Sequence, residues 1–167
     1  MKVALGMIVK SLDTDSEILR FIDNADKYGH KLDCVIVSYT LRLNPQAVES
    51  INKKVPLVAI NINNPQFAIE LFARRGISEK SAKTLLKCPM DTSRGLVPYG
   101  HNRNLVIIEA MLRGLDVLVF ADSDVSPEVL KNTPDGFVRE EVDFFGAHLN
   151  PLRSGALVTS CEYSGYN

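Results

Sequence analysis

Apolar runs of strand length, separated by segments with helical periodicity, constrain this chain more than any other feature. Val3 to Val9, Asp33 to Ser38 through Cys34-Val35-Ile36-Val37, Pro56 to Ile62 and Val117 to Ala121 are almost continuously hydrophobic. A strand with that pattern is buried on both faces, which is the condition of parallel strands covered by helices above and below. Between the first two runs, Glu17 to Tyr28 carries Ile18, Leu19, Phe21, Ile22 and Ala25 on one side of a helix, and Pro45 to Asn52 supplies a second, shorter helix. The alternation predicts an α/β fold with a single mostly parallel sheet flanked by helices. Right-handed crossovers then gather the loops after successive strands along one edge, where ligands bind in such sheets.

The chain has 167 residues, the length of one domain with one core. Residues 1–167 are therefore read as a single domain, in which Asn63 to Pro98 forms a helical insertion. There Pro65 to Arg75 is helical in pattern, Gly76 is a stop, and Ser78-Glu79-Lys80-Ser81 caps a further helix bearing Ala82, Leu85 and Leu86. Farther on, Ser126-Pro127 predicts a short helix from Glu128 to Lys131, and Asn132 to Gly136 is a turn cluster. Val142 to Ala147 and Ala156 to Ser160 are expected to add strands to the sheet, with His148 following the first of them.

A net charge of −1 gives no basis for general nucleic-acid affinity. Cys34, Cys88 and Cys161 have no metal-ligand spacing, and Cys34 lies inside an apolar strand. Free thiols and a cytoplasmic location are expected. The apolar start of the chain is short and runs into Lys10 without a small-residue cleavage site, and no stretch is long enough to span a membrane.

Chemistry concentrates where the last long apolar run ends, at Asp122-Ser123-Asp124. Two carboxylates at the end of a buried strand need solvent, hydrogen bonds or a cation to stay ionised. Their hard oxygens suit Mg²⁺ or Mn²⁺, which keep open positions for substrate phosphates. The same residues also suit a solvated turn with a helix cap. Ahead of the strand, Tyr99-Gly100-His101-Asn102-Arg103-Asn104 leads into an amphipathic helix through Leu112, closed by Gly114.

This order, an Arg-Asn helix start, a helix, a glycine, a buried strand and Asp-x-Asp, resembles the family-2-like nucleotide-sugar glycosyltransferases of the type A fold. The similarity covers about Gly95 to Pro127. It implies transfer of a sugar from a nucleoside-diphosphate donor to an acceptor, assisted by Mn²⁺ or Mg²⁺. Asp124 is then the direct metal ligand, and Asp122 binds the metal through water or holds the ribose. Arg103 contacts the diphosphate or packs on the base, with Asn104 holding the adjoining loop. By the same resemblance Ser11 and Asp13, after the first strand, cradle the nucleoside, and Ser38 stands where relatives often carry a base-recognising acidic residue. The family's Pro-Tyr pairing after its first strand is missing. The acceptor site and catalytic base of inverting members follow this part of the chain, so the sequence resembles the nucleotide-binding part of a longer enzyme or a trimmed relative; Glu162 and Asp143 lie late enough to be considered for a base, with Glu162 the first, weak candidate.

Two other classes are compatible with parts of the pattern. One is a catalytically inactive module that binds a nucleotide sugar. The other is a haloacid dehalogenase-like phosphatase, whose first Asp attacks phosphorus. The phosphatase requires a Lys and a further acidic pair after the motif; Lys131 is the sole Lys there, with Glu140-Glu141 close behind.

Overall fold

The computed structural model describes residues 1–61, 63, 69–70, 72–86, 99–134 and 136–160. The elements in chain order are β1 (Val3–Val9), α1 (Ser16–Lys27), β2 (Cys34–Tyr39), α2 (Pro45–Lys54), β3 (Leu57–Asn61), α3 (Glu79–Leu86), α4 (Tyr99–Leu112), β4 (Val117–Asp122), β5 (Glu128–Thr133), β6 (Gly136–Glu141) and α5 (Phe144–Arg153). They fall into two compact units. The first comprises Met1–Asp15 and Leu32–Asp124; the second comprises Ser16–Lys31 and the chain from Val125 onward.

The first unit is an α/β layer built on a four-stranded parallel sheet in the order β3-β2-β1-β4. The two central strands are the most apolar and are buried along almost their whole length, whereas β3 and β4, at the edges, are half-buried. One face of the sheet, carrying Ala4, Cys34, Ile36, Ile60, Leu118 and Phe120, packs against Leu105, Val106 and Ala110 of α4. Gly6 sets how closely α4 approaches: a Cβ there would lie 2.9 Å from Val106 Cγ1, 3.0 Å from Leu118 Cδ1 and 3.1 Å from Phe120 Cε1. α4 ends at Gly114 (φ 63°), where the Leu115 amide donates to the Ala110 carbonyl at 3.1 Å, closing the helix as the sequence predicts. The next amide, that of Asp116, donates to Lys2 O at 3.0 Å, so α4 finishes beside the beginning of β1 and runs antiparallel to the strands.

Cys34 is buried in β2, and desolvation pushes its thiol up, away from the reactive thiolate. Cys88 and Cys161 lie outside the described residues. Within the insertion, residues 69, 70, 72 and 73 and α3 are helical; its remaining residues up to 98, other than 63 and 74–78, also lie outside the described set.

The second unit contains α1, the antiparallel hairpin β5–β6, and α5. Three expectations fail here. Glu128 to Lys131 is not a helix but most of β5, because it pairs with Val138 to Glu141 of β6, with Lys131–Glu140 and Arg139–Glu128 ion pairs across the strands. Val142 to Ala147 is not a strand. The Asp143 side chain accepts from Gly146 N at 2.8 Å and starts α5, which places His148 inside that helix. Ala156 to Ser160 forms no strand either. Phe21 of α1 packs edge-on against Phe144, ring centroids 4.9 Å apart. Buried Asn24 donates to Glu141 Oε1 at 2.9 Å and to Val142 O at 2.8 Å, and accepts from Phe144 N at 3.3 Å.

Candidate functional site

A parallel sheet ordered β3-β2-β1-β4 has its switch point at β1, because the chain builds outward to β3 on one side and then returns to add β4 on the other. In sheets of this kind ligands bind at the carboxyl ends of the strands beside the switch point. That edge carries Lys10-Ser11 directly after β1 and Asp122-Ser123-Asp124 at the end of β4.

Asp122 is the last residue of β4, with a side chain 35% exposed, while Ser123 and Asp124 are exposed in the following turn. The Arg103 guanidinium, on α4, comes within 4.0 Å of Asp122 Oδ1. That is an ion pair too long for a direct hydrogen bond. The guanidinium also lies over the ring of Phe120, 5.4 Å from its centroid. Phe120 thus orients Arg103 beside the carboxylate without consuming its donors. Arg103 lies in the first turns of a 14-residue helix, whose N-terminal amides favour negative charge.

Other residues singled out from the sequence are distributed around this edge. Ser11 is half-buried after β1. Asp13 is clasped by Arg42 through Nε–Oδ1 at 2.6 Å and a second nitrogen at 3.2 Å; hydrogen bonding from Arg42 holds its carboxyl below the usual range. Backbone bonds join the same two loops: Leu12 N to Arg42 O at 3.0 Å, Asn44 N to Leu12 O at 2.8 Å and Leu41 N to Lys10 O at 2.9 Å. Ser38 is fully buried and shares a row of the sheet with Ile8 and Asp122. Asn104 is exposed on α4, whereas its neighbour Asn102 is fully buried. Asn102 went unnoticed in the sequence, although its spacing to Leu105, Val106, Glu109 and Ala110 puts it on the helix face that packs against the sheet. Tyr99 is 57% exposed, and desolvation lowers the His101 pKa, leaving that ring neutral near pH 7. Glu162 lies outside the described residues.

Among the described residues no three His, Cys, Asp or Glu side chains converge as a cage. Two accessible carboxylates at a strand end fit an ion that arrives with a phosphate ligand and retains water, which is the habit of Mg²⁺ and Mn²⁺.

No family model, no curated protein and no solved structure matches the chain. Among the described residues, no helix is long and apolar enough to cross a membrane.

Proposed function

We propose that the chain is a nucleotide-sugar glycosyltransferase domain of the type A fold that binds a nucleoside-diphosphate sugar with Mn²⁺ or Mg²⁺. The observation that carries this reading is the coincidence of Asp122 and Asp124 with the carboxyl edge beside the β1 switch point, with Arg103 4.0 Å from Asp122. Diphosphate recognition needs a cationic donor next to oxygen ligands for a metal, and Arg103 and the doublet supply both. The metal, held by Asp124 with Asp122 beside it, would supply Lewis-acid neutralisation of the departing diphosphate. Arg103 donates charge-assisted hydrogen bonds to phosphate oxygens, steadied by Phe120. The loops after β1 and β2, carrying Ser11 and Asp13, form the floor on which the nucleoside rests. No catalytic base is assigned, so the reading concerns donor binding first and transfer to an acceptor second.

Thermal melting with UDP, GDP, ADP and CDP, each with and without Mn²⁺, tests the assignment. A nucleoside diphosphate at 100 times its Kd stabilises the fold by about 2.7 kcal/mol. The expected result is stabilisation by at least one of them that requires Mn²⁺. Absence of any nucleotide effect, together with hydrolysis of a generic phosphate ester, would instead identify a phosphatase.

A further inference from the structure

We infer that Arg103 is a placeholder for the divalent cation at Asp122: it makes this edge of the sheet take Mn²⁺ or Mg²⁺ together with a nucleoside diphosphate while resisting the ion alone. The inference rests on the donor-binding reading above and adds to that site the control of its metal.

Phe120 and Asp122 are two residues apart on β4, so both side chains project from the face of the sheet that packs against α4. Arg103, in the first turns of α4, bridges them. Its guanidinium lies 5.4 Å from the centroid of the Phe120 ring, and one of its terminal nitrogens is 4.0 Å from Asp122 Oδ1. The ring fixes where the cation sits, and the carboxylate is the anion beside it. Both charged groups remain open to solvent, with side-chain exposures of 49% for Arg103 and 35% for Asp122. Such a pair is loose enough to exchange partners, yet its separation is well inside the distance at which salt screens charges from one another.

The formal charges at the edge show what this pair does. Asp122 and Asp124 by themselves match one divalent ion. With Arg103 beside Asp122, and Lys10 exposed directly after β1, the two carboxylates are already matched by two cations. Asp13 adds no net charge, because Arg42 is paired with it. A divalent ion that comes alone therefore meets a surplus of positive charge and separates Arg103 from its anion. A diphosphate removes both penalties: its oxygens accept from Arg103 and also ligate the ion, so the guanidinium exchanges a carboxylate for a phosphate instead of losing its partner. The N-terminal end of α4 acts in the same sense, against a lone cation and in favour of a phosphate. Removing the Arg103 charge should then move two affinities in opposite directions, whereas a residue that served only the fold would move them together.

The test measures the whole chain against Arg103→Met, which keeps a long side chain over Phe120 without the charge. Mn²⁺ alone is titrated by the electron paramagnetic resonance signal of the free ion, and UDP, GDP, ADP and CDP are titrated calorimetrically with Mn²⁺ present. Arg103→Met is expected to bind Mn²⁺ alone about threefold to fivefold more tightly, the scale of an exposed ion pair. The same variant should bind the nucleoside diphosphate that the wild type prefers about tenfold or more weakly, the scale of a charged hydrogen bond. Lys2→Gln removes one positive charge about 20 Å back along β1 from Ile8, the strand neighbour of Asp122, and should leave the Mn²⁺ affinity unchanged. Arg103→Gln takes the same measurements if Arg103→Met does not fold. Mn²⁺ binding by the Arg103 variant that is unchanged, weaker or undetectable would overturn the inference, as would undiminished nucleotide affinity or an equal gain in Lys2→Gln. If any of these accompanies Mn²⁺-dependent nucleotide binding by the wild type, the placeholder fails and the donor-site reading stands; if the wild type binds no nucleoside diphosphate, both fail.

Discussion

Ser38 and Asp122 flank Ile8 in one row of the parallel sheet, one strand to either side. Asp122 ends β4 and Ser38 is the last residue but one of β2, and both lie on the face that packs against α4, so polar side chains stand at one level on the two strands that flank β1. That level lies at the carboxyl edge of the sheet, where ligands bind in folds of this class.

Asp124 is exposed in the turn after β4 and contributes nothing to the core. Asp124→Ala is expected to abolish Mn²⁺-dependent nucleotide binding while the melting temperature without ligand stays within experimental scatter. Calorimetric titration with and without Mn²⁺ measures it, and retained metal-dependent affinity would refute the proposed ligand.

Arg103 lies over Phe120 and beside Asp122 with its side chain 49% exposed. Arg103→Ala is expected to weaken nucleoside-diphosphate binding by about 1.5–3 kcal/mol, the scale of a charged hydrogen bond, and to change affinity for the free nucleoside far less. Equal losses for the two ligands would move Arg103 from the phosphates to the base.

Gly6 has no room for a side chain under Val106, Leu118 and Phe120. Gly6→Ala is expected to destabilise the protein by about 1–3 kcal/mol through overpacking. Because the three obstructing atoms are side-chain termini, Val106→Ala in the same chain should recover part of the loss. Urea unfolding of the single and double variants checks both statements.

Burial lowers the pKa of His101 and of His148, the latter held by Thr159 Oγ1 at 2.9 Å. Unfolded histidines titrate near 6.5, so between that value and the lower folded ones the unfolded chain binds more protons. The stability from keeping these rings neutral is fully present above about pH 6.5 and is lost as pH falls below it. Melting temperature should therefore drop between pH 7.5 and 5.5, before the carboxylates of Asp13, Glu79 and Glu141, whose pKa values are lowered, begin to take up protons. His101→Gln and His148→Gln should each flatten the decline, and an unchanged profile would show that neither ring resists protonation.

The first unit was largely legible in the sequence because its strands are apolar runs and its helices are amphipathic. β1 spans the residues expected of it, β2 is shifted by one residue at each end, and β3 starts one residue later than expected, the scale on which element ends vary, while Ile62 lies outside the described residues. In the second unit α1 was equally legible, expected from Glu17 to Tyr28 and found at Ser16–Lys27, whereas the hairpin and α5 were not. Glu128 to Lys131 is too short for periodicity to separate helix from strand, and Ser126-Pro127 looks like a helix start when the pairing partner 10 residues farther on is overlooked. Phe144-Phe145 looks like a buried strand until Asp143 is recognised as a cap. At the candidate site, the exposed Asp122, Arg103 and Asp124 stood out by residue type. Asn102 did not, because an amide on an apolar helix face declares itself only by the partners it lacks, and partners are a property of packing.

The clasp between the loops after β1 and β2 bears on how quickly a ligand can be accepted. Leu12 pairs with Leu43 in a parallel bridge, three backbone hydrogen bonds support it, and the exposed Arg42–Asp13 pair adds little of its own. On the proposed donor-binding reading, this clasp is ordered before the nucleoside arrives, so the observed association rate should rise in proportion to ligand concentration without reaching a plateau, and differences in affinity among ligands should be written in how long each stays.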